Sequence, residues 1–444
     1  MLKIIGLDIG TTTISAVVAD AENGNILASR TVKNDSVIEG TKLQNPEIII
    51  SRVIAVKEEL IKEFAPVSAI GVTGQMHGIL YLDKDGGSVS PLYTWQDTRG
   101  NKPYKNGTYA SYLTDVTGMT MASGFGLVTH FVNMQENNVP DEAVMLCTIH
   151  DYLVMKLTGR KTPIMHTSDA ASLGCFDLKN ADFDNEALSK IGISRAFLPK
   201  VCNKAEIAGR DADGIPVSIA IGDNQASVMG SVADEKCALV NIGTGSQVSV
   251  VTDTLTKPAD GEARPLNDGK FILVGAPLCG GRSFAILHSF FCECAEIFGG
   301  CKEDVYKNMD KIAAVEPEIH DISVDTRFCG TRLNPDITGL ISGVTDTNFT
   351  PAALVKGFLY GMAKELFDLY KGFGKSDIKM LTASGNAVRK SPVLRQYLEE
   401  LFGAEICTPA HTEEASFGAA IFASVATGIY PTTFDAAKKM IHYN

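Results

Sequence analysis

Apolar and polar positions follow two periods along this chain. Short runs rich in Val and Ile are set off by breaks containing Gly, and longer stretches repeat their apolar residues every three or four positions. The first pattern predicts strands and the second helices. Residues 69–73, 217–221 and 271–274 read as strands, and 225–233 and 352–373 as helices. In 352–373, Leu354, Phe358, Met362, Leu366 and Leu369 fall on one face. Strands alternate with helices throughout, which predicts an α/β architecture.

The pattern also repeats. Residues 2–19 read LKIIGLDIGTTTISAVVA and residues 237–251 read CALVNIGTGSQVSVV. Asp8 aligns with Asn241, Gly10 with Gly243 and Thr11 with Thr244. Two apolar runs around a Gly-Thr turn predict a β-hairpin in each half. Such a turn offers backbone N–H groups and hydroxyls suited to a phosphate; the alternative is two unrelated hairpins. Only the first copy carries a carboxylate. Asp8 therefore reads either as the single acid of a Mg²⁺ site beside a polyphosphate or as a turn-forming Asp. The second copy sets a boundary near residue 235, giving domains 1–235 and 236–444.

Composition narrows the classes. The net charge is -12, with 45% apolar and 21% charged residues. An acidic chain without a basic run argues against nucleic acid as a partner. No apolar stretch reaches the length of a membrane span, and the apolar N-terminal run is too short for a signal peptide. The ten cysteines are scattered. The one local group, Cys292, Cys294 and Cys301, lacks the paired spacing of a zinc site, so free thiols and a cytoplasmic setting are expected.

Four segments carry candidate chemistry. Gly74-Gln75-Met76-His77-Gly78 follows a strand, where ligands of α/β sheets sit; Gln75 and His77 can bond a hydroxylated substrate, or the segment is a structural loop. Thr94-Trp95-Gln96-Asp97-Thr98-Arg99 holds the only Trp, a flat apolar face beside polar groups, or a core Trp with solvated neighbours. Gly222-Asp223-Asn224 joins a strand to a helix, where Asp223 is either an N-cap or a general base for an attacking hydroxyl. The fourth is a set of small-residue clusters: residues 275–281, 383–387 and 416–420. They let backbone approach a ring or phosphate, or serve as tight turns and close helix packing. Neither a Walker A loop nor a dinucleotide fingerprint is present.

Taken together, the two Gly-Thr turns, GQMHG, Gly222-Asp223 and Gly330-Thr331-Arg332 resemble the FGGY carbohydrate kinases, from about residue 3 to 428. The resemblance implies two RNase H-like (actin-like ATPase) domains flanking a catalytic cleft, with ATP held mostly by the second domain and sugar mostly by the first. It implies Asp223 as catalytic base and Asp8 near Mg²⁺. Gly10, Thr11, Thr12, Gly243 and Thr244 match the phosphate turns, and Gly280, Gly281, Gly385 and Asn386 the nucleotide pocket. Gln75, Met76, His77, Trp95, Asp97, Asp151 and Asn224 match the sugar side. The implied activity is transfer of a phosphoryl group from ATP to a small ketose; a homodimer is compatible with it. A rival from another class is an actin-like or chaperone-like switch, which lacks the GQMHG and Gly-Asp-Asn constellation. Thr331 stands where the family usually has Glu, and Ala383-Ser384-Gly385-Asn386 replaces the common Gly-Gly-Gly-Ala, which leaves the adenine contacts open.

Overall fold

The computed structural model describes residues 1–243, 245–315, 322–331, 334, 336–375 and 378–444, without the side chains of Val315 and Asn386. In the first sheet, β1 (Lys3–Ile9) and β2 (Thr13–Asp20) form the expected hairpin, with Asp8 opposite Ser15, and β3 (Ile26–Lys33) extends it antiparallel. Helix α1 (Pro46–Phe64) follows. Asn45 caps it by accepting from Glu47 and Ile48 N–H, Pro46 needs no partner at the first position, and Ile49, Val53, Val56 and Leu60 form its buried stripe. The chain then enters β4 (Ala69–Gly74), parallel to β1, so that Asp8 pairs with Thr73 and Ile9 with Gly74. Helices α2 (Ile149–Thr158) and α3 (Thr167–Leu173) come next, then strands β5 (Ile207–Arg210), β6 (Pro216–Ser218) and β7 (Ile221–Gly222) and helix α4 (Asp223–Ser231). The sheet order is β5-β6-β4-β1-β2-β3, with β7 also on β4.

The strand read at 217–221 is thus two pieces. Both pair with β4, Val217 with Ile70 and Ile221 with Thr73, but between them the chain leaves the ladder and Ile219 N–H donates to the Glu206 carbonyl.

The second sheet starts with the other expected hairpin, β8 (Cys237–Ile242) and β9 (Ser246–Thr252), with Asn241 opposite Gln247. Strands β10 (Glu262–Pro265) and β11 (Phe271–Gly275), helix α5 (Arg282–Ile297) and helix α6 (Pro351–Gly372) follow. Thr350 caps α6, and Leu354, Phe358, Met362 and Leu366 are buried along it, the face read from the sequence. Strands β12 (Met380–Ser384) and β13 (Glu405–Cys407) complete the order β10-β11-β9-β8-β12-β13. The internal repeat reaches a third strand here: β12 runs parallel to β8 and sets Ser384 beside Asn241, as β4 sets Thr73 beside Asp8.

One cut near residue 235 does not describe the compact units. The first comprises Met1–Ala233, Arg264–Phe271 and His411–His442, and the second Asp234–Ala263, Ile272–Ala410 and Tyr443–Asn444. The reason is helix α7 (Glu414–Ala426), the small-residue cluster at 416–420, which packs on the first sheet. A Cβ on Gly6 would lie 1.8 Å from the Ser416 carbonyl oxygen, one on Gly71 1.9 Å from that of Ala419, and one on Gly418 1.8 Å from that of Ala226 in α4. Backbone approaches this close admit only glycine, so this cluster is helix packing. Among the described residues no helix is long and apolar enough to cross a membrane.

Candidate active site

In the first unit the C-terminal ends of β1, β4 and β7 lie side by side, with Gly74 paired to both Ile9 and Gly222. The first turn, GQMHG and Gly222-Asp223 therefore leave the sheet at one edge. Asp8 ends this edge on β1. Its Oδ1 is buried without a hydrogen-bond partner, an arrangement that suits a cation. Burial, then the charges of Asp223 and Glu413, push its carboxyl up to about 7, against the opposing effect of His150. Among the described residues no group of three metal-ligating side chains exists, so a cation here would draw most of its ligands from water and phosphate oxygens.

Asp223 opens α4 at its first position, behind Gly222 as N-cap. Its carboxyl accepts from the Asn224 N–H at the start of the helix. Burial raises it to about 6, although His150, the Asn224 N–H and Arg264 pull it down. A carboxyl poised there is ionised at neutral pH yet still basic enough to accept a proton. Asn224 Oδ1 accepts from Arg264 Nη1 at 3.1 Å. Beneath these groups lies His150, wholly buried, with Nε2 2.9 Å from Asp169 Oδ1. Burial alone would lower its pKa; Asp169, Asp151 and Asp223 outweigh that and raise it to about 9, so it is cationic at neutral pH.

The expected sugar-side residues divide by exposure. Trp95 is 48% exposed, and its Nε1 donates to Thr11 Oγ1 at 2.9 Å. Thr11 Oγ1 in turn donates to Gln75 Oε1 at 3.1 Å, Gln75 Nε2 donates to Gln44 Oε1 at 2.8 Å, and Gln44 Nε2 returns to the Thr11 carbonyl at 2.8 Å. Gln75 is 2% exposed, and its side chain ties the first turn to Gln44. Asp97 is also buried: its Oδ1 accepts from Arg99 N and Nε at 2.9 and 2.8 Å. Met76 is buried, its sulfur packed where a Cβ on Gly222 would stand. Asp151 is buried in α2; Thr148 Oγ1 donates to its Oδ2 at 2.8 Å, Oδ1 has no hydrogen bond, and burial raises it to about 7. His77 has φ +71° and stacks on Phe125 with ring centroids 4.9 Å apart. Thr12 is exposed, and Gly10 is held by Asn34 Nδ2, which donates to its carbonyl at 2.8 Å.

The second unit gathers the expected nucleotide glycines around the end of β8. Gly243 N–H donates to the Gly245 carbonyl at 2.9 Å, and a Cβ on Gly245 would meet nothing within 4 Å. Gly280, at φ +47°, sits against Gly245 and Ser246, and Gly281 precedes α5. Gly385, at φ +91°, lies against Ile242. Open space beside a glycine turn leaves room for a phosphate against backbone N–H groups. Thr244, Arg332 and the Asn386 side chain lie outside the described residues.

Sequence reasoning missed Gln44, Arg264 and Glu413, and gave no role to His150 or Asp169. Gln44, Arg264 and Glu413 reach the site from distant segments, and no local signal marks them.

A duplicated, hairpin-led α/β sheet, with a buried acid at one turn and a second acid opening a helix beyond the strand ends, defines a class of ATPase-like phosphotransferase folds. Ligand-bound xylulose kinase from Lactobacillus acidophilus shares the fold over 100% of this chain and 93% of its own, with TM-score 0.82 at 20% identity. Glycerol kinase from Plasmodium falciparum, solved with ADP, shares it over 100% and 93%, with TM-score 0.84 at 18% identity. Residues 3–230 match the N-terminal domain and residues 238–427 the C-terminal domain of the FGGY family of carbohydrate kinases, and the chain belongs to that family. Sedoheptulokinase from Mus musculus is 27% identical across 94% of this chain and 96% of its own length.

Proposed function

We propose that this carbohydrate kinase uses ATP to phosphorylate the terminal primary hydroxyl of a ketose, sedoheptulose first, with Asp223 as general base. The observation that carries the reading is Asp223 itself: a carboxyl at a helix start, raised by burial to about 6, on the strand-end edge that also presents GQMHG. Trp95 offers an exposed ring as a sugar platform, braced by Thr11. His77, Met76, Asn224 and Asp151 shape the acceptor side, and Gln75 and Asp97 hold its walls. Thr11, Thr12 and the second turn at Gly243 and Thr244 would take phosphate oxygens through N–H and hydroxyl groups, with Gly280, Gly281, Gly385 and Asn386 around the nucleotide. Asp8 fits Mg²⁺ through its unpartnered oxygen; the ion, when bound, would offset charge on the phosphates.

Asp223 orients the acceptor hydroxyl and takes its proton late, as negative charge spreads over the transferring group. Sedoheptulose is favoured over other ketoses by the runs at 94–97, 148–152 and 168–172, which resemble sedoheptulokinase, and by the mouse relative. The test is ADP release with Mg-ATP against sedoheptulose, D-xylulose, L-ribulose, glycerol, gluconate and no sugar. Strong turnover with sedoheptulose alone supports the reading, turnover with another sugar moves the substrate, and none with any sugar overturns it.

A further inference from the structure

We propose that α3 is a positioning bar for the reaction, its Ser168 holding the strand end that carries Asp223 and its Ser172 holding the His77 loop. The proposal rests on Asp223 as base. The two serines stand four positions apart, about one helical turn, so both hydroxyls issue from the same face.

Ser168 is 1% exposed. Its own N–H donates to His166 Nδ1 at 3.2 Å, so that nitrogen is an unprotonated acceptor. The Ser168 hydroxyl then donates to the same nitrogen, 2.9 Å away, and its oxygen accepts from Gly222 N–H at 3.0 Å. Burial holds His166 down at about 4, which keeps the acceptor form over the working range. Gly222 is the residue before Asp223 and the cap of α4, so this bond fixes where the base begins.

Ser172 acts on the other loop. Its hydroxyl donates to the Asp169 carbonyl at 2.7 Å and accepts from His77 N–H at 3.1 Å. Its carbonyl lies 2.7 Å from His77 Nδ1, which must therefore carry the proton. Two bonds thus hold His77 in a left-handed conformation that a side chain rarely adopts. Asp169 lies between the serines, and its contact with His150 ties α3 to α2. A seven-residue helix has little stability alone; these anchors make it rigid enough to set one loop against the other.

The test measures kcat, sugar KM and thermal midpoint for Ser168→Ala, Ser172→Ala and Asp223→Asn, and for Ser168→Ala combined with Asp223→Asn. A small displacement of a reacting group is costly, so Ser168→Ala should lower kcat about ten-fold with sugar KM nearly unchanged. Ser172→Ala should raise sugar KM about ten-fold with kcat nearly unchanged. On the residual activity of Asp223→Asn, Ser168→Ala should cost nothing more, because the group it positions is gone. A purely structural role predicts the same loss again in that background, and that result overturns the proposal, as do equal effects of the two serine variants on kcat and KM. Should the alanine variants not fold, Ser168→Cys and Ser172→Cys, with weaker donors of similar volume, carry the same test. Wild-type turnover by Asp223→Asn alone sinks the base reading instead, and the KM rise in Ser172→Ala then still tests the His77 arm.

Discussion

The two hairpin turns are built alike and equipped differently. In both, a glycine turn joins antiparallel strands and a parallel strand brings a hydroxyl residue beside the aligned polar position: Thr73 beside Asp8, Ser384 beside Asn241. In the second turn Asn241 is exposed, and its Nδ2 donates to Ser384 Oγ at 2.9 Å. In the first, Asp8 keeps a buried oxygen without a hydrogen bond and is raised to about 7. One scaffold thus offers a phosphate-suited turn twice and a carboxylate once. Duplicating the acid would add a second negative charge beside a phosphate.

The largest effect expected lies beside the first turn. Asp223→Asn keeps the shape but removes the proton acceptor, and kcat should fall at least ~10²-fold, the usual scale for a positioned base. Sugar-dependent ADP release measures it; near-normal kcat would remove Asp223 from the chemistry. Next is Asp8→Asn, which makes the first turn resemble the second. Turnover should drop roughly 10- to 100-fold, with more Mg²⁺ needed for half-maximal rate. An unchanged Mg²⁺ titration would show that Asp8 does not serve a cation. The reciprocal Asn241→Asp should raise the ATP KM about ten-fold while leaving sugar KM alone, since it sets a like charge at the nucleotide's turn.

How much of this was legible in the sequence follows from range. The hairpins, the α/β class and the buried face of α6 depend on residues close in the chain, and periodicity showed them. Asp8, Asp223 and the glycine turns stood in short motifs, so they could be named. The bonds that hold Gln75 could not, because Gln44 and Thr11 meet Gln75 only after folding. The return of α7 to the first unit was hidden for the same reason. Its Gly-Ala face reads equally as a nucleotide loop or a packing surface, and only the glycines of β1, β4 and α4 decide between them.

That return gives a smaller, structural prediction. Gly418→Ala puts a methyl group into the Ala226 carbonyl, backbone against backbone, and nothing there is a flexible side chain that can yield. The cost should be about 1–3 kcal/mol, read as a lower denaturation midpoint in urea. The mirror change in the second unit, Gly245→Ala, meets open space and should cost less; equal losses would show that close packing is not what distinguishes the two glycines.

The smallest effect concerns the charge beneath the first turn, which has no counterpart among the described residues at the second. His150 is raised to about 9 from an ordinary value near 6.5. A group raised in the folded state contributes stability in full below its unfolded pKa and loses it as pH climbs through its folded pKa. Asp8, Asp151 and Asp223 are also raised, to about 7, 7 and 6, so they erode stability in the same direction but at lower pH. The thermal midpoint should therefore fall in two stages, the carboxyls between about pH 4 and 7 and His150 between about pH 6.5 and 9. His150→Gln should remove the upper stage while leaving the first visible. If the variant and the wild type fall in parallel across that upper window, the imidazole is not the cation that holds the acids of the first turn together.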